Sequence, residues 1–225
     1  MNIAYFDLDE TIIGADSSSL WLEWAVRKKI LDPALLAKGK EMLASYYSGK
    51  LDINTYTELN LTPIVGLTTS EVEKLVSEFI TDEITHRYYH HALLHLQQHH
   101  EDGDKIVIIS ASSKHIVEPI ARNLGIQTSF GVNPQLVLDE QLEEPVYTGK
   151  IEGTPAFREG KVKNLLAFLR EEKLKGRVYE KSYAYSDSIN DKFLLEFADK
   201  SFVINPNEEL KLLANQKGWV TYFWQ

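Results

Sequence analysis

A chain of 225 residues, 44% of them hydrophobic, can bury a sizeable core as one large domain or as a domain with an insertion. Its 33 acids against 24 lysines and arginines leave a net charge of -9 with no long basic run, which argues against nucleic acid and anionic membrane as partners. It has no cysteine, no signal-peptide pattern at its start and no apolar run near the roughly 18 residues of a membrane span, so the cytoplasm is the expected compartment.

The first expected element is a short buried strand, Ile3-Ala4-Tyr5-Phe6, running into Asp7-Leu8-Asp9-Glu10-Thr11. Two acids at the mouth of a buried strand are either chemical groups or a capping pair, and the spacing alone admits both. The pattern then turns helical for some seventy residues. Leu20, Trp21, Trp24 and Ala25 form one stripe. Asp32-Pro33 opens a second helix carrying Leu35, Leu36, Met42, Leu43, Tyr46 and Tyr47, and a third begins near Asp52. Thr68 and Glu71 fit a capping box ahead of Val72, Leu75, Val76, Phe79 and Ile80. Together these read as an all-helical insertion.

A helix reaching about His100 returns the chain and holds six of the seven histidines. His91, His95 and His99 share a face, but no cysteine or carboxylate cluster accompanies them, so that face is expected to be solvated. The strand Ile106 to Ile109 then ends in Ser110. Ser112 or Ser113 is expected to cap the next helix, whose stripe is Ile116, Val117, Ile120, Ala121 and Leu124 and whose end is Gly125. Such a helix would direct its free amides at Ser110. A hairpin is expected between Val132 and Ile151, then a helix from about Glu159 to Glu172 with Lys161 in its first turn. The last third reads as a strand Tyr183 to Ser186 leading to Asp187 and Asp191, a short strand Phe202 to Ile204, a helix after Pro206 and a closing strand Trp219 to Phe223. Strands alternating with helices imply a parallel sheet covered on both faces, with its ligand site at the carboxyl ends of the strands.

Asp7-x-Asp9-x-Thr11, the strand ending in Ser110, Lys161 after Gly160, and Asp187-Ser188-Ile189-Asn190-Asp191 occur in that order. They resemble the four motifs of the haloacid dehalogenase-like (HAD) superfamily, whose members are mostly phosphatases. The helical insertion and the wording around Ser110 and Asp187 resemble the phosphoserine phosphatase branch, over nearly the whole chain and loosest in the insertion. This likeness implies an α/β fold, a three-layer doubly wound and mostly parallel sheet. It also implies a catalytic core of residues 1-15 and 86-225 and a helical cap of residues 16-85.

The same resemblance implies hydrolysis of a phosphomonoester through an aspartyl phosphate, which splits a barrier too high for one contact to lower. Asp7 matches the nucleophile and Asp9 the general acid and base. Asp7, Asp187 and the Asp9 carbonyl match the ligands of Mg2+. Ser110, the Ala111 amide, Lys161 and Asn190 would hold the phosphate. Asp191 would act through a water or a neighbour, Thr11 would support the loop, and Asp16 would face a substrate amine. The partner would be a small phosphorylated metabolite, and the protein a monomer or homodimer.

Each residue also has a plainer reading. Ser110 could be a helix-start hydroxyl and Asp187 with Asp191 a capping pair, while Lys150 and Lys163 lie near Lys161 in sequence. One departure from the branch is informative. Its cap supplies an arginine for the substrate carboxylate, but no arginine occurs here from Lys28 to His86, and the corresponding helix reads Tyr56-Thr57-Glu58-Leu59-Asn60. Lysine lacks the bidentate fork that would replace it. The expected substrate is therefore an amino-alcohol phosphate such as histidinol phosphate. The alternatives are a phosphoserine phosphatase, a phosphotransferase or mutase, and a non-enzymatic aspartyl-phosphate signalling protein. Trp21, Trp24, Tyr46, Tyr47 and Tyr56 would be mostly core of the insertion, with a share in the pocket wall.

Overall fold

The computed structural model describes residues 1–47 and 52–225, and for 44–47 the backbone alone, so the side chains of Tyr46 and Tyr47 lie outside the described residues. The fold is α/β, a seven-stranded sheet in the order β4-β3-β2-β1-β5-β6-β7. The strands are β1 (Ile3–Phe6), β2 (Lys105–Ser113), β3 (Ser129–Asp139), β4 (Glu144–Glu152), β5 (Ser182–Ser186), β6 (Lys200–Ile204) and β7 (Val220–Tyr222). All neighbours run parallel except β3 and β4, which form the expected hairpin.

β1 lies between β2 and β5, the two strands that follow it on opposite sides, so the strand order reverses at β1. A crevice opens at such a switch point, beyond the carboxyl ends of the strands. Side chains alternate across the sheet, as the pleat requires. Ala4, Phe6, Ile108, Tyr185 and Ile204 face one way and Ile3, Tyr5, Val107, Ile109, Ala184 and Val203 the other. The first face is covered by α5 (His90–Glu101) and α6 (Lys114–Asn123), the second by α7 (Glu159–Leu174), α8 (Lys192–Phe197) and α9 (Glu208–Lys217).

Between β1 and β2 run α1 (Ser17–Arg27), α2 (Pro33–Tyr47), α3 (Ile53–Leu61) and α4 (Thr69–Phe79), followed by a π-helical turn at Ile80–Ile84. Each start has a chemical cause. Asp16 accepts from the Ser19 amide, Pro33 sits at the first position of its helix behind Asp32, and Asp52 accepts from the Asn54 amide. The Thr68 and Glu71 capping box forms in full. Trp21 and Trp24 stack at 5.3 Å with Phe79 edge-on to both, so these aromatics are core. They belong to the same buried cluster as Phe6 and Ile108, which makes the insertion and that sheet face one continuous apolar body.

Two expectations need correction. The histidine face is not solvated throughout: His99 is buried, its Nδ1 2.9 Å from Asp104 and its Nε2 2.9 Å from the Tyr185 hydroxyl. His95 stacks on Trp224 at 5.2 Å. The C-terminal aromatic segment covers this helix, and periodicity alone does not reveal such a lid. The second concerns β2, which continues through Ser113, so α6 begins at Lys114 and not just past Ser110, and neither Ser112 nor Ser113 makes a side-chain cap.

Candidate active site

The carboxyl ends of β1, β2 and β5 and the start of α7 meet at one cavity. Its wall includes Asp7, Asp9, Asp16, Lys161, Asp187 and Asn190. Asp7 extends β1 by one residue, its amide bonded to the Tyr185 carbonyl of β5 at 2.9 Å. The chain then turns sharply, the Ile12 amide returning to the Leu8 carbonyl at 2.8 Å. Glu10 takes a positive φ of 54° in that turn, a conformation costly for a side chain with a Cβ. This bend separates the side chains of Asp7 and Asp9, which a straight strand would keep on one face.

Asp7 and Lys161 make the central contact. Lys161 is 2% exposed, and its Nζ lies 2.7 Å from Asp7 Oδ1 and 2.6 Å from Asp191 Oδ2. Burial of an ammonium to this extent is tolerated because two carboxylates surround it. A Cβ on Gly160 would stand 2.0 Å from the Pro155 carbonyl oxygen, so only glycine allows the chain to start α7 this close to the preceding turn and place Lys161 there. Asp191 also accepts from the Ser186 hydroxyl at 2.8 Å, and its side chain does not cap α8.

Asp9 points the other way. Its Oδ1 accepts from the Ser17 amide at 2.7 Å and its Oδ2 from the hydroxyls of Ser110 at 2.9 Å and Ser112 at 2.8 Å. Ser110 is fully buried and does not form part of the cavity wall, whereas Ala111 and Ser112 do. Ser112 also meets the Ser17 hydroxyl at 3.2 Å and the Ser18 hydroxyl at 2.9 Å, a contact between β2 and the first turn of α1. Sequence reasoning passed over this cluster. Its signal was the serine run 17–19 opposite Ser110-Ala111-Ser112-Ser113, which can be recognised only once β2 is known to lie beside α1.

Thr11 exchanges two bonds with Asp187, each 3.1 Å, donating to Oδ1 and accepting from its amide. Asn190 accepts from Arg158 Nε at 3.1 Å. Asp16 has two positions at once, capping α1 and lining the cavity.

Burial pushes the Asp7 carboxyl up to about 7 despite Lys161, with Asp191 and Asp9 adding to the rise. Asp187 is raised in the same direction by burial and by the charges of Asp7 and Asp191. Asp16 rises to about 7 through burial and through Asp9. Crowded carboxylates with hard oxygen donors suit a hard divalent cation, which would relieve their repulsion. Among the described residues no three His, Cys, Asp or Glu groups converge as a ready ligand set. Asp7 and Asp187 would therefore supply two carboxylates. Asp9, whose carboxylate is already engaged, could offer only its carbonyl, and water or substrate would supply the remaining ligands.

Comparison with known proteins gives the family. The haloacid dehalogenase-like hydrolase family model matches residues 4–196, and the chain belongs to that family. A histidinol-phosphatase from Neisseria meningitidis is 32% identical over 219 residues, covering 97% of this chain and 96% of the relative. A protein of unknown function from Bordetella pertussis Tohama I superposes with a TM-score of 0.85 at 30% identity, covering 98% of this chain and 97% of that one. A substrate-bound phosphoserine phosphatase gives a TM-score of 0.66 at 17% identity over 98% of this chain and 91% of that one, a likeness of fold alone. The protein is thus an enzyme, a HAD-family phosphatase. No helix among the described residues is long and apolar enough to cross a membrane.

Proposed function

We propose that this phosphatase hydrolyses a small amino-alcohol phosphate, of the histidinol phosphate kind, in the cytoplasm, by way of a phosphoryl group carried on Asp7. The observation that carries the reading is the buried Asp7 carboxylate held 2.7 Å from Lys161, with Asp9 on the same rim. In the first step an Asp7 oxygen bonds to phosphorus, the bond to the leaving alkoxide breaks, and Asp9 gives that oxygen a proton. In the second, Asp9 takes a proton from water, the water oxygen bonds to phosphorus and the bond to Asp7 breaks. Inorganic phosphate leaves and the carboxylate is restored.

Lys161, the Ala111 amide and Asn190 would receive the phosphate oxygens. Ser110 could join them only by leaving Asp9, which would free Asp9 Oδ2 for proton transfer while Ser112 still holds the carboxylate. A magnesium ion bound by Asp7, Asp187 and the Asp9 carbonyl would offset the repulsion between an anionic nucleophile and an anionic substrate. Asp191 and Thr11 would hold Lys161 and Asp187 in place. Residues 16-85 would serve as a cap over a catalytic body of 1-15 and 86-225.

Charge supports the choice of substrate. Asp7, Asp9, Glu10, Asp16 and Asp187 line the cavity, and among the described residues Lys161 is the single cation on that wall. A substrate ammonium gains from Asp16, while a substrate carboxylate would find among the described residues of that wall no cation besides Lys161, which the phosphate takes. The full-length similarity to a histidinol-phosphatase points the same way. The test is turnover with magnesium of histidinol phosphate, ethanolamine phosphate and phosphoserine within a phosphometabolite panel. Preference for the carboxylate-free amines is expected; preference for phosphoserine overturns the substrate assignment.

A further inference from the structure

Arg158, in the turn that leads into α7, takes φ 50° and ψ -125°. The Gly160 amide returns to the Phe157 carbonyl at 2.8 Å and closes that turn over four residues, which gives Arg158 the conformation of the second position of a type II′ turn. Glycine dominates this position, because a Cβ is strained there. An arginine thus stands where glycine would be cheaper. Strain kept beside an active site points to a side chain in use.

That side chain reaches across to the loop after β5. Its Nε donates to Asn190 Oδ1 at 3.1 Å, and its guanidinium carbon lies 4.9 Å from the centre of the Phe157 ring, which backs it. Asn190 is 8% exposed and belongs to the wall of the cavity that holds Asp7 and Lys161. An amide carries an acceptor oxygen at one end and an NH2 of nearly equal size at the other, so its partners decide which end faces which way. Arginine has only donors, and the oxygen therefore turns to it. Ser188 Oγ, 3.5 Å from Asn190 Nδ2, can take one of the two N–H groups at the other end, which leaves the second for an anion in the cavity.

We propose that Arg158 is a positioning residue: it turns the Asn190 amide so that its NH2, and not its oxygen, meets the phosphate of the substrate. This rests on the reading of Asn190 as a phosphate-holding residue given above. The reversed amide would set its oxygen against the phosphate oxygens and its NH2 against the guanidinium, a mismatch at both ends. The other two donors of that set need no such help. The Lys161 ammonium has no acceptor end, and the direction of the Ala111 amide is set by the backbone of β2. Asn190 is the member whose orientation has to be chosen, and the strained turn brings the guanidinium to the place where that choice is made.

The experiment measures inhibition by inorganic phosphate, with kcat and KM for the preferred substrate of the panel, on the full chain with magnesium. It compares the native protein with Arg158→Gly, Asn190→Ala and the double variant. Glycine keeps the turn and relieves its strain, so Arg158→Gly should not lower Tm. It should raise both KM and the inhibition constant of phosphate about tenfold, through one charge-assisted hydrogen bond left unmade. Asn190→Ala should do the same, and the double variant should bind phosphate no worse than Asn190→Ala alone, because Arg158 then has no amide to turn. Native phosphate affinity in Arg158→Gly overturns the inference while the reading of Asn190 stands. Losses that add in the double variant also overturn it, since Arg158 would then act through its charge or through the fold. Native phosphate affinity in Asn190→Ala removes the reading of Asn190 itself, and the inference with it.

Discussion

The rim of the sheet and the helical insertion above it handle buried polarity in opposite ways. At the rim, Lys161 is bracketed by Asp7 and Asp191, Asp9 accepts three hydrogen bonds, and Asp187 is tied to Thr11. The insertion packs around the aromatic rings of Trp21, Trp24 and Phe79, and the Tyr56 hydroxyl and Asn60 Oδ1 make no hydrogen bond there among the described residues. At the rim the polar groups are paired with one another. On the reading proposed above, the rim serves a reaction common to many substrates and the insertion the choice among them.

The sharpest way to break this contrast is at the rim. Asp7→Asn should remove more than 99% of turnover while the chain still folds, read from phosphate release beside a circular dichroism spectrum. Activity above a hundredth of the native value would remove Asp7 as nucleophile. Lys161→Ala should cost about 3–5 kcal/mol of stability, because Asp7 and Asp191 would be left buried without their cation. Denaturant unfolding measures this. An insertion that merely rests on the core would leave Trp21→Ala nearly silent, but one shared apolar cluster predicts a loss of about 3–5 kcal/mol in a single cooperative transition.

Much of this was legible in the sequence. Hydrophobic runs leading into Asp7, Ser110 and Asp187 announce a parallel sheet and the rim where these residues gather, and the Thr68 and Glu71 capping box follows from local chemistry. What stayed hidden depends on contacts across the fold. His99 is identical in type to the exposed His100, and contacts beyond its own helix, with Phe6, Asp104, Tyr183 and Tyr185, make it core. The extension of β2 through Ser113 follows from its register beside Val132 of β3, which no local signal at Ser112 contains. The double position of Asp16, as cap and as cavity wall, emerges only when α1 is seen to begin at the rim.

Metal and pH separate the two regions further. The Asp7 carboxyl has an ordinary value of 3.8 and rises to about 7 in the folded chain. The metal-free native state therefore keeps a proton that the unfolded chain releases between those values. Stability from this group is complete below about 3.8 and is lost as the pH rises towards 7. Asp16, also raised to about 7, adds to the same trend. Melting in chelator should thus give a lower Tm at pH 8 than at pH 5.5, and magnesium should raise Tm more at pH 8. A response to magnesium independent of pH would count against ligation by Asp7. Asp187→Asn should weaken the magnesium response without abolishing the fold.

The smallest effect belongs to the insertion. Thr68→Ala deletes the hydroxyl that accepts the Glu71 amide at the start of α4, and with it one half of the capping box. The expected loss is about 1 kcal/mol, or roughly 2–4 °C in Tm for a chain of this size. Because α4 shares its buried cluster with the sheet, that loss should appear in the global transition. It should also be equal at pH 5.5 and pH 8, since the hydroxyl's bonds to the Glu71 amide and carboxylate form within the box itself, away from the acids of the rim. A loss that changes with pH would mean that α4 senses the charge of the rim, and the division between a charged rim and an apolar insertion would fail at that point.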